Sequence, residues 1–148
     1  MKITINADDR YTETEIMVNC SRMSDDIEKI LASIRMHDMK ITGYKEGKQC
    51  ILEISDILYI ESIDKRSFFY TLTDTYECPF KLYELETKLA ERHFIRVSKN
   101  CIININHIKF IESELNSRLI LTMPRDIKLL VSRQYASAVK HILEVYYV

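Results

Sequence analysis

Phe94-Ile95-Arg96-Val97-Ser98-Lys99-Asn100-Cys101-Ile102-Ile103-Asn104 sets two short apolar runs on either side of a polar Ser-Lys-Asn centre. Each run is bounded by turn residues, so the stretch predicts a strand over Phe94–Val97, a turn at Lys99-Asn100 and a strand over Cys101–Ile103. The same rhythm continues outward. Upstream lie Ile41–Lys45, Cys50–Ile54, Ile57–Glu61, Ser67–Thr73 and Tyr76–Phe80; downstream lie Ile108–Glu112, Arg118–Thr122 and Lys128–Val131. One helix interrupts the series at about Lys81–Arg92, with Leu82, Leu85 and Leu89 on one face. Another closes it from Ser132, which can cap it, with Tyr135, Ala138, Val139 and Ile142 as its buried side. A parallel α/β sheet needs a helix after every strand, and these are missing. The class predicted for residues 41–148 is therefore mostly β, in α+β form.

Residues 1–40 read differently. Lys2–Ala7 and Glu15–Cys20 alternate apolar and polar around Asp8-Asp9-Arg10-Tyr11-Thr12-Glu13, and predict two strands of a hairpin. A helix follows, capped by Ser24 or Asp25, with Asp25, Asp26 and Glu28 suited to its N-terminal dipole. Ile27, Ile30, Leu31 and Ile34 form its apolar stripe, which must be covered by the hairpin, the main domain or a second copy. The predicted organisation is a β-β-α extension over 1–40, serving dimerisation, and a larger domain over 41–148.

Composition narrows the function. The chain has 148 residues, 47% hydrophobic and 29% charged, enough for one ordinary domain with a short appendage. Its 2 glycines exclude a three-glycine dinucleotide fingerprint, and Gly43-Tyr44-Lys45-Glu46-Gly47-Lys48-Gln49 is one residue short of a phosphate loop. It reads as a tight turn between strands. The longest strictly apolar runs, Ile57–Ile60 and Val145–Val148, are far below a membrane span, and the N-terminus has no signal-peptide core. Cys20, Cys50, Cys78 and Cys101 are widely spaced, as reduced thiols of a cytoplasmic protein would be. No membrane insertion is expected.

Net charge is −1, but its distribution is uneven. Residues 1–40 hold 6 basic against 8 acidic side chains, whereas residues 92–140 hold 9 against 3. An acidic front and a basic rear suit a polyanion-binding module with a separate head. His37, His93, His107 and His141 are scattered, and Glu84/Glu86 and Glu112/Glu114 read as solvated charges. Nothing here calls for catalysis, a metal or a cofactor.

An ordered set of motifs adds to this reading. It runs Ile57-Leu58-Tyr59-Ile60-Glu61-Ser62, Asp64-Lys65-Arg66-Ser67, Phe68-Phe69-Tyr70-Thr71-Leu72, then Leu82-Tyr83-Glu84-Leu85-Glu86 with Leu89. Phe94 to Asn104, Ile108-Lys109 and Val131-Ser132-Arg133-Gln134-Tyr135 complete it. The set resembles the LytTR family of bacterial DNA-binding domains over most of residues 41–145. The resemblance implies a stack of small antiparallel sheets with a few flanking helices. Connecting loops, in place of a recognition helix, would enter successive major grooves.

It also implies a DNA-binding set: Lys65, Arg66, Ser67, Arg96, Lys99, Asn100, Ser132, Arg133 and Gln134. Several have a structural alternative. Lys65 and Arg66 solvate a turn, Arg96 braces a sheet, Asn100 forms an Asx turn, and Asn104 hydrogen-bonds a turn. Arg133 opposes the dipole at a helix start, which favours a functional use. The chain departs from the family pattern where Ser98-Lys99-Asn100 replaces His-Lys/Arg-Ser, and where Met123-Pro124-Arg125-Asp126 replaces an Asn-Gly turn. Forty residues are too few for the receiver domain many members carry, so the stand-alone variety is expected. The function expected is a sequence-specific transcriptional regulator; the alternative is a protein-interaction module that kept the fold and lost DNA binding. The partners expected are double-stranded DNA and a second copy of the chain, with a regulatory protein partner left unidentified.

Overall fold

Short strands joined by tight turns satisfy their backbone by pairing antiparallel with neighbours, and the ten described strands of this chain do so in eight pairings. The computed structural model describes residues 1–37, 39–115 and 118–146. Helix α1 is Asp25–His37. Then come β1 Lys40–Lys45, β2 Lys48–Glu53, β3 Tyr59–Ile63, β4 Arg66–Tyr70, β5 Thr75–Cys78 and helix α2 Leu82–Lys88. They are followed by β6 Phe94–Ser98, β7 Cys101–Asn104, β8 Phe110–Ser113, β9 Leu119–Met123, β10 Ile127–Val131 and helix α3 Arg133–Tyr146. Short 3-10 turns at 54–56, 105–107 and 124–126 link strands. A seven-stranded sheet has the order β2-β1-β5-β4-β3-β7-β6, and a three-stranded sheet the order β10-β9-β8.

All ten strands predicted beyond residue 40 are present, in two antiparallel sheets. The two predicted before it are not. Lys2–Ala7 and Glu15–Cys20 make no strand pairing, and their side chains lie in solvent, Ile5 being 84% exposed. The intervening turn does form: Tyr11 N–H donates to the Asp8 carbonyl at 3.2 Å, and Arg10 N–H to Asp8 Oδ1 at 2.9 Å. An isolated two-stranded hairpin is marginal without a face to cover, and no described element covers this one. α1 forms as predicted, with Ser24 Oγ accepting from Ile27 N–H at 3.4 Å and the Ser24 carbonyl from Glu28 N–H at 3.0 Å. Its stripe, Ile27, Ile30, Leu31 and Ile34, is half-buried, and the helix touches the 54–56 turn.

The seven-stranded sheet separates two cores. Strand β7 is buried throughout, so it reads as a continuous apolar run, and its alternate residues serve opposite faces. Ile102 packs with Ile60, Phe69, Phe94, Leu82, Leu85 and Leu89, joining α2 to one face. Cys101 and Ile103 pack with Tyr59, Val97, Leu121, Val131 and Val139, joining the small sheet and α3 to the other. In α3, Ala136, Val139 and Leu143 are buried and Tyr135 and Ile142 half-buried, whereas Ala138 faces solvent. The buried stripe keeps helical spacing but is centred on Ala136, Val139 and Leu143, the side that meets β6 and β10. No described helix is long and apolar enough to cross a membrane.

Three strand-to-strand turns use left-handed backbone, as does His93 (φ 63°) ahead of β6. Glu46-Gly47 (φ 52° and 74°) and Asp64-Lys65 (φ 50° and 66°) close two-residue hairpins, where the strand twist calls for positive φ at both places. Arg125 (φ 67°) and Asp126 (φ 58°) do the same in the 124–126 turn that replaces Asn-Gly. Gly47 is the turn glycine; Gly43 lies inside β1, where an added Cβ would stand 2.9 Å from Tyr76 Cβ and 3.1 Å from Leu52 Cδ1. Two substitutions should therefore move stability in opposite directions. Gly43→Ala is expected to cost about 1–3 kcal/mol by overpacking, and Arg125→Gly to gain about 1 kcal/mol by relieving the left-handed residue. Urea unfolding of the two variants checks both signs.

Candidate nucleic-acid interface

The charged turns meet through the backbone of the large sheet. β3 pairs with β7, Glu61 opposite Cys101, and Ser62 N–H donates to the Asn100 carbonyl at 2.8 Å. The Asp64-Lys65 turn and the Lys99-Asn100 turn are thus neighbours on one edge. On the far side of β6, Ser132 N–H donates to the Val97 carbonyl at 2.9 Å, which brings the start of α3 to the same edge. Lys65, Lys99, Asn100, Arg133 and Gln134 are all exposed there.

The Lys99-Asn100 turn is built unlike the other two-residue hairpins. Neither residue has positive φ, so its natural twist works against the strands, and the register of β6 on β7 shifts between Arg96 and Ser98. Arg96 compensates. Its half-buried guanidinium donates to the Ser98 carbonyl at 2.9 Å, to the Lys99 carbonyl, and to Glu86 on α2 at 2.8 Å. Ser98 Oγ accepts from Asn100 N–H at 3.3 Å. Of the two roles open to Arg96 in the sequence, the geometry realises the brace. Asn104 is likewise a turn-holder: fully buried, it donates to the Ile57 carbonyl at 3.0 Å and accepts from Asn106 N–H at 3.0 Å.

Other placements differ from those expected. Ser67 is not in a loop but inside β4, opposite Ser62 and Cys78, and only 7% exposed, because period-2 alternation turns it to the same face as Phe69. Arg66 is exposed but occupied, donating to Glu77 at 2.9 and 2.6 Å from Nε and Nη2, with its guanidinium 5.6 Å from the Phe68 ring centre. Those hydrogen bonds hold the Glu77 carboxyl below the usual glutamate range and push the Arg66 guanidinium up. Ser132 does not cap α3 through its side chain. Its Oγ is buried with no hydrogen-bond partner among the described residues, while its carbonyl accepts from Tyr135 N–H at 3.0 Å.

One basic residue of this edge escapes sequence reasoning. Lys81 precedes α2 and faces a concavity shared with Lys65, Arg66 and Lys99. The signal was local. A helix-capping position normally holds Ser, Thr, Asp or Asn, and Lys81 makes no cap hydrogen bond there. The buried thiols take no part: burial pushes Cys101 up to about 12 and Cys78 to about 11, leaving both protonated and inert.

Comparison with known proteins agrees with this architecture. The model of the LytTr DNA-binding domain matches residues 47–144, and the chain belongs to that family. A LytTr DNA-binding domain from Bacillus cereus superposes with a TM-score of 0.66 at 27% identity, over 74% of this chain and 97% of that one. An uncharacterized HTH-type transcriptional regulator of Staphylococcus aureus (strain NCTC 8325 / PS 47) is 27% identical over 147 residues, 98% of this chain and 99% of its own length. Its counterpart in the bovine strain RF122 / ET3-1 is 28% identical over 147 residues. The family is one of DNA-binding regulators rather than of enzymes. In this chain no two described helices are consecutive, since five strands separate α1 from α2 and five more separate α2 from α3. The exposed basic side chains of the edge described above stand on turns and one helix start.

Replacing Arg96 by lysine keeps the charge and removes the fork that reaches two carbonyls and Glu86 together. Arg96→Lys is expected to lower stability by about 1–3 kcal/mol and to accelerate amide exchange at Asn100. Thermal melting and residue-resolved hydrogen exchange measure the two effects.

Proposed function

We propose that this chain is a sequence-specific transcriptional regulator that binds double-stranded DNA along its basic edge, as a homodimer joined through residues 1–40. The observation that carries the reading is the convergence just described. Two hydrogen bonds, Ser62 to Asn100 and Ser132 to Val97, align two hairpin turns and a helix start, each presenting a basic side chain. Spaced projections from a rigid sheet suit successive major grooves better than a single flat patch does. Family membership supports DNA as the partner, and binding to chromosomal DNA supports action in the cytoplasm. Lys65 and Lys99, as compact point charges, hold phosphates. Arg133, on the first turn of α3, suits guanine O6 and N7; the Asn100 amide suits adenine N6 and N7. Arg96 and Ser67 support the turns from behind, and Arg66 serves while ion-paired to Glu77.

The dimer reading rests on the extension. The Bacillus cereus domain matches 74% of this chain while being itself covered at 97%, so it folds with little beyond the LytTr region. The Staphylococcus aureus relatives align over 98% of the chain, extension included. An exposed alternating arm that makes no contact worth burying on its own domain is matched by a second copy of itself.

Site selection from random duplexes, repeated over a salt series, tests the DNA reading. Lys99→Ala is expected to weaken all duplexes alike and reduce the log–log salt slope by about 1. Arg133→Ala is expected to cost about 1–3 kcal/mol at the selected site, relax one base position per half-site and leave the melting midpoint unchanged. Duplex affinity that is absent or insensitive to salt would favour the protein-interaction module instead.

Sedimentation tests the dimer. A chain beginning at Lys40 should sediment as a monomer at concentrations where the full chain is a dimer, and one beginning at Ser24 separates the arm's share from that of α1. Equal self-association of all three would place the interface elsewhere.

A further inference from the structure

We propose that the concavity between the Asp64-Lys65 turn, the Lys99-Asn100 turn and the start of α2 is a seat for one phosphodiester of the DNA backbone, with Lys81 as its floor. The proposal rests on the DNA reading and adds a contact that the sequence motifs quoted above do not contain. The concavity holds about 470 Å³, room for a phosphate and several waters at roughly 30 Å³ each. Its charged lining is Lys65, Arg66, Lys81 and Lys99 against a single carboxylate, Glu77. That carboxylate is already taken by Arg66 through two hydrogen bonds. Among the described residues, the ammonium groups of Lys65, Lys81 and Lys99 make no ion pair or hydrogen bond. Beside them Arg66 is ion-paired, as are Arg10, Lys40, Lys45 and Arg96 in other parts of the chain.

Three unpaired like charges lining one hollow repel one another, and the monoanionic oxygens of a phosphodiester relieve all three at once. The three come from separate parts of the chain, so only the tertiary fold assembles them. Exposed Tyr83 lines the same hollow and supplies a hydroxyl of the kind that contacts phosphate oxygens. Because Lys65 and Lys99 sit on turns that Ser62 and Asn100 lock together, a phosphate seated here fixes the register of both turns on the duplex.

The test compares wild type, Lys81→Ala, Lys81→Arg and the control Lys88→Ala for binding to the selected site and to a random duplex across salt. Lys88 lies at the other end of α2, 5.0 Å from the Phe80 ring centre and outside the hollow. Lys81→Ala should weaken both duplexes by the same factor and shrink the salt slope by about 0.9. Lys81→Arg should restore the slope, Lys88→Ala should keep it, and all melting midpoints should match. A wild-type slope in Lys81→Ala, or an equal loss in Lys88→Ala, overturns the seat. A wild-type protein without salt-dependent duplex binding overturns the DNA reading itself, a separate result. Inorganic phosphate at constant ionic strength distinguishes the source of the phosphate. It should displace duplex no better than chloride does, and selective displacement lost in Lys81→Ala would assign the seat to the free ion.

Discussion

The pairing of β3 with β7 is the constraint on which the rest of this molecule depends. It joins segments some forty residues apart, Tyr59 opposite Ile103 and Glu61 opposite Cys101, and it is pinned at both ends. At one end the buried Asn104 amide reaches the Ile57 carbonyl while the Asn104 N–H donates to the Leu58 carbonyl at 2.9 Å. At the other, Ser62 meets the Asn100 carbonyl. A buried amide that lost its partners would carry its full desolvation cost, so a slip of one residue is penalised twice, once there and once by reversing every buried side chain. Register and charge placement are therefore one property.

From that pairing the two cores follow. The sheet's alternation sends Ile60 and Ile102 toward α2, and Tyr59, Cys101 and Ile103 toward the small sheet and α3. Tyr59 stacks on Tyr70 with ring centres 4.4 Å apart, continuing the second core across β4. Burial pushes the Tyr59 hydroxyl up to about 12, so it is neutral throughout the ordinary pH range. The basic edge stands at the rim of both cores, where turns leave the sheet and side chains need not pack.

Charge is managed differently in the two regions. Away from the edge, Arg10, Lys40 and Lys45 sit beside acids in pairs such as Lys40–Glu53 at 3.5 Å, which contribute little to stability and mainly cancel field. Along the edge, Arg96 spends its charge on carbonyls and Glu86, Arg66 on Glu77, and among the described residues Lys65, Lys81, Lys99 and Arg133 are left without an ion pair. The bracing charges and the unpaired charges are thus on separate residues. This separation explains how a net charge of −1 coexists with a locally basic edge.

Much of this was legible in the sequence, and the divide is physical. Period-2 patterning and turn residues determined the ten strands after residue 40, the leucine face of α2 and a cap of α1 at Ser24 or Asp25, because each depends on neighbours within a few positions. The ordered motifs likewise marked Lys65, Lys99 and Arg133 as outward-facing. Sheet order, the inward turn of Ser67, the pairing of Arg66 with Glu77, the bracing role of Arg96 and the arrival of Lys81 beside Lys65 and Lys99 were decided only by tertiary structure. So was the failure of the 1–23 arm to form strands, since alternation states what a segment can pair with and never whether a partner is there. Local periodicity is set by bonds along the chain; which strand lies beside which, and which cation finds an acid, is set by contacts between residues that the chain itself holds far apart.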